Sequence, residues 1–354
     1  MKSYEIKNKN ILIFGGTGSL GKSLIKYYLN SGNNVTCFSR DEAKHWTLKN
    51  TFKSDKLTFI VGDIRDKNRV QQSLKIAKPN IIIIAAALKQ VDTCELSPEE
   101  SIKTNIIGIQ NIVNVIEENQ NQLDSLEKVL MVSTDKACSP INVYGMCKSI
   151  AERVVLEKNR KTTNNIDFIA VRYGNVLESR GSIIPLFLHQ AKNNKTITLT
   201  HEVMTRFLMT LDESVDLINY AIINAERGDT YIPKLKSMKI IDLAEIFSIK
   251  FDKKVEIIGI RPGEKIHESM INETESLRLL EEEDHFVIKP IYNSAVLNLN
   301  TFDYTSKDNN LTKKELEDYL ISINVFAKDQ NEFVGKSIEE IRTSSLTSVE
   351  GRSN

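Results

Sequence analysis

The stretch Asn10–Leu24, NILIFGGTGSLGKSL, sets an apolar run directly against three spaced glycines and the start of a helix-like segment. A run rich in Ile, Leu and Phe reads as a buried strand, and Gly15, Gly18 and Gly21 follow it at once. Glycines so placed let the backbone turn tightly and come close to a pyrophosphate, whose charge sits at the N-terminus of the helix that follows. Thr17, Ser19 and Leu20, lying between them, belong to the same candidate dinucleotide site. A glycine triplet alone is a weak signal, so the reading depends on what comes after it.

What comes after is a long alternation. NVTCFSR, KLTFIVGD, NIIIIAAA, KVLMVSTD and FIAVRYGNV read as strands, and SLIKYYLNSG, RVQQSLKIA, IIGIQNIVNVIEEN and SIAERVVLEKN as helices between them. Strands alternating with helices predict an α/β fold with a doubly wound parallel sheet of the Rossmann kind, covered by helices on both faces. Past Asn175 the segments shorten and carry isolated charges. The expected organisation is a dinucleotide-binding domain over 1–176, with 205–235 returning to it, and a smaller C-terminal substrate lobe over 177–204 and 236–320. The polar end, 321–354, is expected to be a partly disordered tail.

Composition narrows the function classes. Lys+Arg and Asp+Glu are both 47 in 354 residues, so the summed field gives no reason to expect a nucleic-acid or anionic-membrane partner. Cys37, Cys94, Cys138 and Cys147 have no metal-ligand spacing, and His267 and His285 lack partner ligands, so no metal is expected. Free thiols fit a reducing cytoplasm. The N-terminal MKSYEIKNKN has no apolar h-region, and the longest apolar run, NIIIIAAAL, is far short of a membrane span.

The strand tips refine the cofactor. The second strand ends CFSRDEAK, where Ser39 and Arg40, with Lys44, suit the 2′-phosphate of NADP, while Asp41 suits the free ribose hydroxyl of NAD. NADP is favoured and NAD stays open. Asp63 and Ile64, in VGDIRD at the third strand's end, could bracket the adenine. Ala85, Ala86 and Ala87 leave room for a flat group against the backbone, or reflect close packing. Trp46 is expected to pack.

MVSTDKACSPINVYGMCK, Met131–Lys148, holds the chemistry. Tyr144 and Lys148, four apart, share a helix face; an ammonium and a positively charged nicotinamide would depress the phenol's pKa from its usual value near 10 and let it remove a hydroxyl proton. Oxidising a sugar hydroxyl acidifies the neighbouring C–H, and Asp135 and Lys136 then make an acid to expel a β-hydroxyl and a base to take the proton.

Taken together, GGTGSLGK, SRDE, GDIRDK, AAALKQV, STDKACSPINVYGMCK, RYGNV, SRGSIIP, MTRF and IGIRPGEKIHE resemble the extended short-chain dehydrogenase/reductase superfamily. Within it they are most similar to the soluble inverting UDP-N-acetylglucosamine 4,6-dehydratases, over roughly Lys9 to Ile288. The resemblance implies Asp135 as acid, Lys136 as the C5 base, Tyr144 and Lys148 as the redox pair, and Thr134 bonded to the sugar's C4 hydroxyl. It implies a UDP-sugar partner and a homo-oligomer. A pyrophosphate needs local cations, and a planar guanidinium can take two of its oxygens; Arg206 and Arg261 are the candidates, with Lys89, Asn175, Arg180 and Glu264 as further substrate contacts. The alternatives are a nucleotide-sugar 4-epimerase of the same fold, which would leave Asp135–Lys136 without a purpose, and a non-catalytic NADP-sensing protein.

Overall fold

The computed structural model describes residues 5–163, 165–177, 182–193, 195–292 and 300–326. It divides into two compact units: Met1–Tyr173 with Asp212–Lys234 and Met270–Asp303, and Gly174–Leu211 with Leu235–Ser269 and Tyr304–Asn354. The first opens with β1 (Asn10–Phe14), α1 (Ser19–Asn30), β2 (Asn34–Ser39), α2 (Glu42–Phe52), β3 (Leu57–Val61), α3 (Lys67–Ala77) and β4 (Ile81–Ile84). It continues through α4 (Val91–Leu96), α5 (Pro98–Ile102), a π-helical turn at Lys103–Gly108, α6 (Ile109–Glu118), β5 (Lys128–Val132), a 3-10 turn at Asp135–Ala137, α7 (Val143–Glu157) and β6 (Asp167–Val171).

The chain then runs through α8 (Ile183–Lys192), β7 (Ile197–Leu199) and β8 (Thr205–Phe207), returns for α9 (Leu211–Asn224) and β9 (Thr230–Pro233), and leaves again for β10 (Ser237–Lys239), α10 (Ile240–Phe251) and β11 (Val255–Ile257). It ends with β12 (Ser269–Ile271), α11 (Glu273–Ser276), β13 (Leu279–Glu281), β14 (His285–Ile288), β15 (Tyr304–Thr305) and α12 (Lys313–Ser322).

The large sheet has the order β13-β14-β9-β6-β5-β4-β1-β2-β3. From β3 to β9 all neighbours are parallel, and the fold is the α/β doubly wound arrangement. Continuous Ile and Val runs explain it: every side chain of β4 is buried, which only a strand with helices on both faces allows. Leu12, Ile82, Val129 and Phe168 from the strands pack with Ile112, Ile116, Ala151 and Val155 from α6 and α7 in one core. Strand order reverses between β1 and β4, which opens a crevice at the strands' carboxyl ends, where doubly wound sheets bind ligands.

The boundaries differ from the sequence reading: the first segment ends at Tyr173 rather than 176, and the returning segment spans Asp212–Lys234 rather than 205–235, which leaves β8 in the second unit. Met270–Asp303 lies in the first unit rather than in the lobe, because β14 pairs antiparallel with β9 and β13 with β14, extending the sheet's edge. The tail begins later than residue 321: Val325 is buried in the second unit's core beside Leu316 and Leu320, and 327–354 lie outside the described residues. That second core gathers Leu177, Phe187, Leu199, Met238 and Phe247, with β8 against β10 and β7 against β11.

Candidate active site

At the end of β1 the chain turns at Gly15, with φ at +88°, and its amide donates to the Phe38 carbonyl at 2.8 Å. A side chain at Gly15 would press on the Ala86 backbone, its Cβ 2.7 Å from the amide nitrogen, and one at Gly21 would meet the Gly16 carbonyl at 2.5 Å. The close approach of Gly15 to Ala86 gives the small Ala85–Ala87 run a packing reason. Gly18 stands at the N-cap of α1 and brings no capping oxygen, so the turn is a cradle that side chains would fill, aimed at a helix N-terminus. It fits a dinucleotide pyrophosphate. Leu20 lies in the first turn of α1, and Ile64 is buried in the first core.

The tip of β2 is more connected than its sequence suggested. Thr17 Oγ1 donates to Ser39 Oγ at 3.1 Å, and Ser39 Oγ lies 2.7 Å from His45 Nε2. His45, which the sequence reading passed over, is buried and held below the usual imidazole range by that burial. Arg40 is exposed and 3.7 Å from Asp63. Asp63 also accepts from Arg65 at 2.7 Å. Asp41 caps α2 and pairs with Lys44, so the carboxylate that might have taken a ribose hydroxyl already serves its helix. Trp46 does not pack: it is 67% exposed.

Beyond β5 the chain builds the reactive turn. Ser133 and Asp135 amides donate to Val171 and Tyr173 carbonyls at 2.7 and 3.0 Å, and Thr134 caps the 3-10 turn that follows. Asp135 is 1% exposed, and its Oδ1 accepts from Thr134 Oγ1 at 2.8 Å and from Lys136 Nζ at 3.1 Å. Asn142 then caps α7 by accepting the Gly145 amide at 2.7 Å. Gly145 lets the first turn of α7 close on the reactive turn, since a Cβ there would fall 2.2 Å from the Lys136 carbonyl oxygen.

Tyr144 and Lys148 are both buried on α7. Burial pushes the Tyr144 phenol up to about 12, and the strongest pull downward comes from Lys136 rather than from the expected Lys148. Lys148 donates to the Val132 carbonyl at 2.6 Å, and burial lowers it to about 8 against the opposing charge of Glu152.

Of the candidate substrate residues, Lys89 is exposed after β4 in the first unit. Asn175, Arg206, Arg261 and Glu264 belong to the second unit, and Arg180 lies outside the described residues. Asn175 keeps a buried Oδ1 without a hydrogen-bond partner among the described residues. Arg206 is buried on β8, donating to the carbonyls of Thr205, Ile266 and Lys265 at 2.7, 3.1 and 2.9 Å, with Glu264 and Glu268 each 3.8 Å away. Arg261 is exposed, in a turn where its amide donates to Glu264 Oε2 at 3.3 Å. Among the described residues no cluster of His, Cys, Asp and Glu could hold a metal ion, and no helix is long and apolar enough to cross a membrane. All four cysteines are free and buried.

The family model described as polysaccharide biosynthesis protein matches residues 11–290. An uncharacterized membrane protein of Methanocaldococcus jannaschii is 39% identical over 320 residues, covering 87% of this chain and 94% of its own. A UDP-glucose 4-epimerase of Rickettsia rickettsii is 38% identical, covering 79% and 83%. An inverting UDP-N-acetylglucosamine 4,6-dehydratase of Campylobacter jejuni is 39% identical, covering 80% and 83%. Among solved structures, Pen from Bacillus thuringiensis superposes with a TM-score of 0.84 at 34% identity, covering 90% of this chain and 99% of that one. The dTDP-glucose 4,6-dehydratase DesIV of Streptomyces venezuelae, with NAD bound, shares the fold at a TM-score of 0.63 and 19% identity, covering 74% and 87%.

Proposed function

Since the chain belongs to the polysaccharide biosynthesis protein family, we propose that within the family's nucleotide-sugar dehydratase and epimerase chemistry it is a 4,6-dehydratase. It acts on UDP-N-acetylglucosamine, inverts C5 and uses NADP. The observation that carries this reading is the Asp135–Lys136 ion pair at 3.1 Å, its carboxylate buried and its ammonium half-buried beside Tyr144. An epimerase only moves hydride to and from C4 and has no use for a second acid and base.

Thr134 and Tyr144 receive the C4 hydroxyl, and Tyr144 removes its proton. A bound dinucleotide would supply storage of the hydride between C4 and C6; the cradle from Gly15 to Gly21 would hold its pyrophosphate, and Ser39, Arg40 and Lys44 would receive the 2′-phosphate. Lys136 takes the C5 proton and Asp135 protonates the departing C6 hydroxyl. The ion pair already holds the one proton this needs: passing it from Lys136 to Asp135 leaves an amine base and a carboxylic acid, a neutral pair that burial favours. The UDP contacts expected from the sequence remain Arg206, Arg261, Asn175 and Glu264, with Arg180 and Lys89 as further candidates. The working state is a cytoplasmic homo-oligomer.

The competing 4-epimerase reading is favoured by the names of the Rickettsia relatives. Incubation with UDP-N-acetylglucosamine and NADP, followed by mass analysis, separates the two: loss of one water is expected, and a product of unchanged mass with an inverted C4 would replace the dehydratase by the epimerase.

A further inference from the structure

The helix that carries Tyr144 and Lys148 also carries Glu152, one turn further along the same face and 4% exposed. Its carboxylate meets Arg172, the residue after β6, with Nε to Oε1 at 3.2 Å and Nη2 to Oε2 at 2.7 Å. From the other side Glu275 takes Nη1 and Nη2, each at 2.9 Å, and the Met270 carbonyl takes Nη1 at 2.7 Å. These bonds use every N–H of a guanidinium, whose fork is rigid, so Glu152 is fixed in position. Glu275 is itself held by a capping box with Asn272, and Cys138, two residues after Lys136, donates to it at 3.6 Å. Lys148 bonds the carbonyl of Val132, which pairs in register with Val171, the neighbour of Arg172.

The buried charges cancel. Lys148 and Arg172 stand against Glu152 and Glu275, and the Lys148 ammonium donates to a neutral carbonyl, that of Val132. Removing one carboxylate leaves an uncompensated buried cation, a strongly unfavourable state. Arg172 cannot shed its proton, so the imbalance falls on Lys148. Titratable or charged groups on elements packed against α7 include Cys94 of α4, Glu117 of α6, Asp135 and Lys136 of the reactive turn, and Arg172 and Tyr173 after β6; on α7 itself the buried Glu152 stands one turn from the buried Lys148.

We propose that Glu152, clamped by Arg172, is a positioning residue: it supplies the buried negative charge against which Lys148 keeps its proton beside Tyr144. The proposal rests on the reading of Tyr144 and Lys148 as the hydroxyl-oxidising pair. Glu152→Gln keeps the shape and an oxygen for Arg172 but removes the charge. In protein labelled with 15N-lysine, with the Lys148 resonance assigned by Lys148→Met, the variant is expected to lose the Lys148 proton at a pH lower by about one unit or more. The alkaline limb of C4 oxidation, which falls as Lys148 deprotonates, should move down by the same amount. A Lys148 titration that coincides with wild type overturns the proposal. If Glu152→Gln does not fold, Glu275→Gln must move the titration in the same direction by less, and an unmoved Lys148 there overturns it equally. A merely structural clamp would lower the melting temperature without moving the titration. A wild-type protein that oxidises no nucleotide sugar would remove the functional reading, while the NMR titration still decides the role of Glu152.

Discussion

Asp135 and Lys136 are adjacent in the chain and would point apart in a strand, but a 3-10 turn brings their charged ends to 3.1 Å. Their roles can therefore be separated by removing one proton donor at a time. Asp135→Asn retains the shape and cannot protonate a leaving hydroxyl, so reduced cofactor should accumulate on the protein while dehydration slows by about 10²–10⁴-fold, the usual worth of a general acid. Tyr144→Phe should stop the earlier step, leaving no reduced cofactor; dehydration by Asp135→Asn at the wild-type rate would make Asp135 a cap of its turn and nothing more. These residues were legible because their signals are local: a four-residue helical spacing and a polar run at a strand end. Glu152 carried the same signal, four residues past Lys148, but its meaning depends on Arg172 and Glu275, whose distances in sequence hide them. Trp46 was misjudged because the buried stripe of α2 passes through His45 and Leu48, one position away.

Whole elements were legible where their burial is uniform. The Ile and Val runs announced the parallel strands, and the spacing of Gly15, Gly18 and Gly21 announced the turn between β1 and α1. The π-helical turn at Lys103–Gly108 left no trace, since IIGIQNIVNVIEEN, which begins inside it, reads as unbroken helix; its reason is tertiary. Asn105 accepts the Leu88 amide and donates to the Leu88 carbonyl, both at 2.8 Å, fastening the loop after β4. The antiparallel β13 and β14 were equally hidden, being three and four residues long with an acidic turn between them. The docking of α7 on the reactive turn gives the prediction at this scale. Gly145→Ala forces a methyl into the Lys136 carbonyl, and overpacking of this kind costs about 1–3 kcal/mol. The melting temperature should drop, and C4 oxidation should fall further than the stability loss explains, because the shift displaces Lys136 from Tyr144. Wild-type melting and rate would show that the two elements are less tightly joined than their geometry implies.

Each compact unit is assembled from three separate segments of chain, which is why a reading that works outward from local pattern found the fold class yet placed Met270–Asp303 in the wrong unit. The balanced charge of the whole molecule likewise leaves binding to local groups, so the substrate must be tested by what becomes of its atoms. The decisive measurement is the fate of isotopes in one turnover of UDP-N-acetylglucosamine deuterated at C4, followed by proton NMR and mass analysis of the product, with a parallel reaction of unlabelled substrate in heavy water. A redox-neutral dehydratase with Lys136 as base should carry the C4 label to C6 of the same sugar, and in heavy water should place one solvent deuterium at C5 on the face opposite the proton removed. A label that remains at C4 or washes into solvent would contradict the assignment.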